Sequence, residues 1–280
     1  MTAPRDIAQS SSQSSSQSSS QSSSQPGVLL GPEDTLLIEQ IENGGTISSW
    51  QETGGRFKEL ATGILLQFAD SQMAGAAGFA PFINKATTIE DRLNMSNVVS
   101  QKLSMAKDAY EVIGGLNFNV ERYLSSHCFE SRVLRDSFLG FSRSSADKRL
   151  NALLYPLEGF EDMLVFTYLL GVMARLMLGE FADAKFIPLK ELACSCLPLE
   201  TAHANFALLA LRRKAESHRK QIELSYQYWY PRVETSAGPS DSVRNHWHKR
   251  FGLKHSDNLE IKEEWKKEVS RELQKLALEL

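Results

Sequence analysis

The sequence predicts an all-α protein, and three observations carry that prediction. From Pro26 onward, apolar residues recur at spacings of three and four over long stretches, while the period-two alternation of half-buried strands is scarce. Start and stop signals bracket those stretches, with Ser, Thr or Asp caps at one end and Asn-Gly or Gly-Gly pairs at the other. The chain of 280 residues is 42% hydrophobic and 23% charged, enough apolar material to bury one substantial core.

Residues 10–25 are four consecutive Ser-Ser-Ser-Gln units. With no apolar side chain to offset the entropy of ordering the backbone, residues 1–26 read as a disordered Ser/Gln-rich tail and residues 27–280 as one helical domain. Met1 to Gln25 contains no apolar run of the secretory type. Cys128, Cys194 and Cys196 are the only cysteines, too few for a disulfide-built scaffold and suited to a reducing compartment, so a cytoplasmic location is expected. The formal net charge is -3, which supplies no general attraction to nucleic acid or to an anionic membrane.

The first helix should open at Pro32-Glu33-Asp34 and stop at Asn43-Gly44-Gly45. A long second helix is expected from about Ser49 to Gly78, with Phe57, Leu60, Ile64, Phe68 and Met73 on its apolar face. Thr87-Thr88 caps the next, which carries Leu93, Val98, Leu103 and Tyr110 as far as Gly114-Gly115. After an irregular stretch, Glu158 to Phe181 is the most apolar helix. Its uncharged core, Met163 to Ala174, is too short for a membrane span and fits a helix buried in a bundle. Leu189 to Lys214 and Ala215 to Tyr230 follow, the second closed by Pro231. At the C-terminus Ser256 or Asp257 caps a helix with one stripe of Ile261, Trp265, Val269, Leu273, Leu276 and Leu280, fit to pack on the bundle or on a partner helix.

Phosphate-binding loops, dinucleotide fingerprints and the Gly-x-Ser-x-Gly elbow are all missing. Cys194 and Cys196 cannot complete a zinc site alone and read as buried free thiols. His246-Trp247-His248 with Arg244, Lys249 and Arg250 forms a basic aromatic cluster. It would suit an acidic partner or a phosphate-bearing ligand, and the plainer reading is a solvated helix face. Tyr226, Tyr228, Trp229 and Tyr230 are expected to serve core or interface packing. The remaining motif, Glu200-Thr201-Ala202-His203, puts a carboxylate and an imidazole on one face of a helix. In a ferritin-like bundle two such E-x-x-H motifs and two further carboxylates hold two irons, so the architecture decides what this one means.

From about Gln51 to Leu278 the chain resembles the catalytic subunit of the bacterial phenylacetyl-CoA monooxygenase, a ferritin-like di-iron enzyme that epoxidises the ring of an aryl-CoA thioester. The resemblance rests on five segments: Ser71-Gln72-Met73-Ala74-Gly75, Ala109 to Gly114, Pro198 to His203, Tyr228 to Pro231, and Ser242 to Phe251. It implies a ferritin-like bundle with extra C-terminal helices. It also implies that Gln72 and Lys102 stand where glutamates would ligate iron, Met105 where a histidine would, and Gly171 where an aspartate would, leaving Glu200 and His203 as the retained pair.

One carboxylate cannot balance two divalent irons, and Lys102 adds a positive charge. The expectation is therefore a non-catalytic scaffold or binding subunit without a cofactor, linked to phenylacetate-type catabolism. Its partner would be a second copy or a related helical subunit, and an aryl-CoA is its candidate ligand. The alternatives are an active oxygenase with a relocated di-iron or single-metal site, and an unrelated helical interaction protein. If the inherited positions are right, the Lys102 ammonium stands in for a metal ion beside Glu200, with Gln72 supplying hydrogen bonds.

Overall fold

The computed structural model describes residues 30–127 and 148–276. The expected tail at 1–26, Leu280 of the C-terminal stripe and Cys128 lie outside them. Within the described residues the chain forms ten α-helices and no strand, as expected of an all-α protein. They are α1 (Pro32–Glu42), α2 (Gly55–Phe79), α3 (Phe82–Lys85), α4 (Ile89–Gly115), α5 (Val120–Ser126), α6 (Phe160–Ala182), α7 (Ile187–Lys214), α8 (Arg219–Glu234), α9 (Val243–Arg250) and α10 (Asn258–Lys275).

The bundle is two tight helix pairs, α2 with α4 and α6 with α7, joined mainly where α4 meets α7. Short connections at 80–88 and 183–186 make the partners of each pair antiparallel neighbours. A parallel bridge of Ile47 with Phe186 ties the segment before α2 to the turn between α6 and α7. The termini follow the sequence signals closely at several places. The Thr88 hydroxyl accepts the Asp91 N–H at the start of α4, and Asp257 and Glu260 form a reciprocal capping box on α10.

Other ends are set by contacts that local sequence does not reveal. Instead of starting at Ser49, α2 starts at Gly55, after a 3-10 turn over Trp50–Glu52. Its cap comes from a different helix: the buried Asp34 carboxylate accepts the N–H groups of Arg56 and Phe57 at 3.0 and 3.1 Å. A Cβ at Gly54 would stand 2.4 Å from Asp34 Cγ, so only glycine lets the carboxylate close on the helix start. The seven-residue α5 is too short to show a period. Pro231 does not close α8, which runs on to Glu234. The carbonyl that loses its donor there belongs to Gln227, an exposed residue.

The apolar stripes are mostly where the sequence puts them, with one exception on α4. On α4, Leu93 and Leu103 are exposed, and the buried face is instead Met95, Val98, Met105, Ala109 and Ile113 with Tyr110. On α10 the whole described stripe from Ile261 to Leu276 is buried inside the chain, packed against α6, where Trp265 Nε1 donates to the Leu169 carbonyl at 3.0 Å. The described part of the stripe therefore packs on the bundle, one of the two outcomes expected of it. Helix α6 reaches 23 residues and is the one described helix long and apolar enough to cross a membrane, longer than its uncharged core suggests; 67% of that window is buried in the bundle.

Two apolar clusters fill the interior. One gathers Phe79, Val98, Met163, Phe166, Ala204, Trp229 and Trp265; the other gathers Ile47, Phe57, Ala69, Met105, Cys196 and Phe251. Truncating Trp265 to alanine should cost about 3–5 kcal/mol in urea unfolding, because it removes a fully buried ring and the hydrogen bond that its indole N–H gives the Leu169 carbonyl.

Candidate functional site

Between the two clusters, at mid-height of the four long helices, lies a polar layer. Gln72 on α2 falls between Ala69 and Ala74, Lys102 on α4 between Val98 and Met105, and Glu200 on α7 between Cys196 and Ala204. All three are buried, Glu200 at 1% exposure and Lys102 at 6%. They close a triangle in which Lys102 Nζ donates to Glu200 Oε1 at 2.8 Å and to Gln72 Oε1 at 3.0 Å, while Gln72 Nε2 donates to the same Glu200 oxygen at 2.8 Å. The Lys102 stem does not run to the surface. It crosses α2 at Gly75, where a Cβ would approach its Cδ to 3.1 Å.

His203, one turn beyond Glu200, is equally buried. Its Nε2 donates to Gln101 Oε1 at 2.8 Å, leaving Nδ1 without a hydrogen-bond partner, 3.4 Å from Glu200 Oε2. Burial pushes the imidazole pKa down against the pull of Glu200, so the ring is neutral. Burial alone would push the Glu200 carboxyl up; the Lys102 ammonium outweighs it and holds the group well below the ordinary carboxylate range.

The other two inherited positions carry no donor. Met105 is buried in the apolar cluster next to Lys102. At Gly171, a Cβ would stand 3.0 Å from Ala204 Cβ, so α6 and α7 approach too closely there for a longer side chain without a shift. The acidic residues elsewhere on α6 serve other contacts: Glu161 pairs with Lys214 at 2.9 Å, Asp162 accepts the Trp229 indole N–H at 2.7 Å, and Glu180 accepts the N–H groups of His255 and Ser256. Among the described residues no three or more His, Cys, Asp or Glu side chains are grouped to hold a metal ion. Cys196 is a buried thiol whose pKa burial raises to about 11, whereas Cys194, two residues away, faces out and corrects the expectation of a buried pair.

Two features escape the sequence reading. Gln101 joins the network through His203, although its neighbour Lys102 drew the attention. Asp70, fully buried one turn below Ala74, accepts the Tyr110 hydroxyl at 2.6 Å, the Tyr123 hydroxyl and the Lys148 N–H at 2.7 Å. Its signal was available: it is the only charge between Ala61 and Asn84.

An inner cavity of about 90 Å³ lies over the triangle, lined by Gln72, Lys102 and Glu200 on one side and by apolar residues such as Leu170, Met173 and Phe181 on the other. A wider outer chamber of about 320 Å³ adjoins it, and Ile64, Gln67, Leu150, Met177, Phe181 and Ser236 line both. Part of the His246-Trp247-His248 segment forms its wall, so α9 is not simply a solvated face: Asn245 is buried and Trp247 packs against Phe251.

Paired long helices around a central polar layer define a protein of the ferritin-like helical-bundle class. More narrowly, the chain belongs to the Phenylacetic acid catabolic protein family, whose profile matches residues 47–280. No curated protein sequence matches it.

The triangle makes two measurable statements. Lys102→Ala should destabilise by about 3 kcal/mol or more by stranding the Glu200 carboxylate, while Lys102→Met with Glu200→Leu should cost much less, as a double-mutant cycle in urea would show. Because the Glu200 pKa is depressed on folding, its contribution is complete above the ordinary carboxyl range and lost as pH falls below about 4.3. Over that acid range the wild type should lose more unfolding free energy than the double variant, and equal losses would mean that Glu200 does not titrate as a buried pair.

Proposed function

We propose that this chain is a non-catalytic ferritin-like subunit of phenylacetate-type catabolism, acting as a scaffold or binding component. The observation that carries the reading is the Lys102 ammonium, 2.8 Å from the one carboxylate of the polar layer. Two divalent irons bring four positive charges and are normally balanced by several carboxylates on facing helices. Here one carboxylate, one neutral imidazole and one amide face the layer together with a cation. That donor set does not fit a di-iron centre, and Gly171 on α6 carries no side chain to add to it, while a Cβ there would press on Ala204 at 3.0 Å. The buried charge is neutralised by protein instead, and Gln72 satisfies the carboxylate oxygen that Lys102 also binds.

One observation favours a second reading. His203 Nδ1 is buried, unpartnered and turned toward Glu200 Oε2, an arrangement that a single divalent ion could bridge if Lys102 swung away. The two readings part on anaerobic loading with ferrous iron, desalting and metal analysis of the full chain. Retention of no iron above a bovine serum albumin control is expected. One iron per chain, lost in His203→Ala, would establish the single-metal reading, and two would overturn the proposal.

A further inference from the structure

The protein is mildly acidic overall, yet its outer chamber is lined by basic side chains. Lys148, Arg244, His248 and Lys254 line it, and no described Asp or Glu does. These residues come from three separate places: Lys148 from the segment before the 3-10 turn at Asn151–Leu154, Arg244 and His248 from successive turns of α9, and Lys254 from the turn after α9. Helical spacing brings Arg244 and His248 together, but only the fold adds Lys148 and Lys254.

The groups are poorly satisfied where they stand. Lys254 is 4% exposed and its ammonium donates to one neutral atom, Asn258 Oδ1, at 2.8 Å. The nearby carboxylates are taken: Glu180 by the His255 and Ser256 N–H groups, Asp257 by Lys249 and Asn245. Burial lowers the Lys254 pKa to about 8 despite those acids, the mark of a cation short of counter-charge. His248 Nε2 and Ser236 Oγ are buried without partners, and burial with the charges of Arg244, Lys254 and Arg56 lowers the imidazole pKa to about 4. Arg244 is exposed and makes no ion pair among the described residues. Its guanidinium lies against α2 at Gly63, where a Cβ would stand 2.7 Å from Nη2, so a side chain at 63 would displace it. The one orphan of opposite character is Asn245 Oδ1, an acceptor.

Clustered donors, a missing counter-charge and space for more than water describe a receptor for a compact dianion with several acceptor oxygens. We propose that the outer chamber is a binding site for a phosphate group, free or as a monoester of a small organic molecule. Arg244 and Lys254 pair with its oxygens and His248 and Ser236 donate to it, while Asn245 Oδ1 accepts the proton of free monohydrogen phosphate or lies toward the ester oxygen side of a monoester. The continuous wall into the apolar inner cavity gives a short ester chain somewhere to go. This inference goes beyond the scaffold reading and does not depend on whether the Lys102 triangle holds a metal.

Isothermal titration calorimetry of the full chain at pH 7, with ionic strength held constant by sodium chloride, tests it using inorganic phosphate, butyl phosphate and acetate. Phosphate should bind at one site per chain and acetate should not compete. Tighter binding of butyl phosphate would identify an ester as the ligand class, and equal binding would identify the free ion. Arg244→Ala, in protein shown to be folded by circular dichroism, should weaken phosphate binding about tenfold, about 1.4 kcal/mol. Lys254→Met should weaken it further in protein shown to be folded by circular dichroism. Absence of saturable phosphate binding, unchanged affinity in Arg244→Ala, or acetate binding as tightly as phosphate would each overturn the proposal.

Discussion

A buried charge must find its opposite or several donors, and in this bundle that requirement falls on Glu200. The carboxylate sits at 1% exposure in the plane where two apolar clusters meet, a place that neither cluster can close with hydrocarbon alone while Glu200 remains. Lys102 and Gln72 satisfy it from two other helices. The α2/α4 pair is thereby linked to the α6/α7 pair by directional bonds as well as by packing. A one-turn slide of either pair would move an ammonium or a carboxylate about 5.4 Å along its helix, against apolar neighbours such as Met105, Val98 or Ala204. The polar layer thus allows one register, where apolar contacts alone would tolerate several.

Small residues make that layer geometrically available. Gly75 lets the lysine stem cross α2, and Gly171 lets α6 lie close on Ala204, so the interior near Glu200 is narrow enough for side chains to meet. The same closeness limits what the site can do. Removing bulk on α6 brings the helices together and leaves a cavity of about 90 Å³ instead of a ligand shell. Gly63 does comparable service at the outer chamber by letting the Arg244 guanidinium rest on α2. In each case a glycine inside a helix gives up local helix propensity for a contact with a cationic side chain or a neighbouring helix.

Much of the helical framework was legible because its signals are local. The Thr88 and Asp257 caps, the Gly114-Gly115 stop and the α10 stripe each lie within one turn or one face of a single element. What local pattern could not carry was supplied across space. The cap of α2 comes from Asp34 on α1, and the buried face of α4 is set by its neighbours so that Leu93 and Leu103 turn outward. For the site, the meeting of Gln72, Lys102 and Glu200 was legible once the resemblance placed them, because a charge on a buried helix face needs a partner on the facing one. The outer chamber was not legible as a unit. The basic cluster near His246 was visible, but Lys148 and Lys254 join Arg244 and His248 only through the fold, and no spacing in the sequence encodes that.

The Lys102–Glu200 pair also constrains how the layer can change. Replacing either charge alone strands the other in a setting where desolvation costs several kcal/mol, whereas replacing both with hydrocarbon removes the requirement altogether. Gln72 is coupled to the same choice, since its amide donates to Glu200 and accepts from Lys102 at once. Without the ion pair it would become a buried amide with both ends unmet. The three residues are therefore kept or lost together. His203 is bound less tightly to that outcome, because its one hydrogen bond goes to Gln101 and its Nδ1 is already unpartnered. It can be altered while the triangle stays whole, so the imidazole is the member of the layer whose removal reports on ligand chemistry instead of on folding.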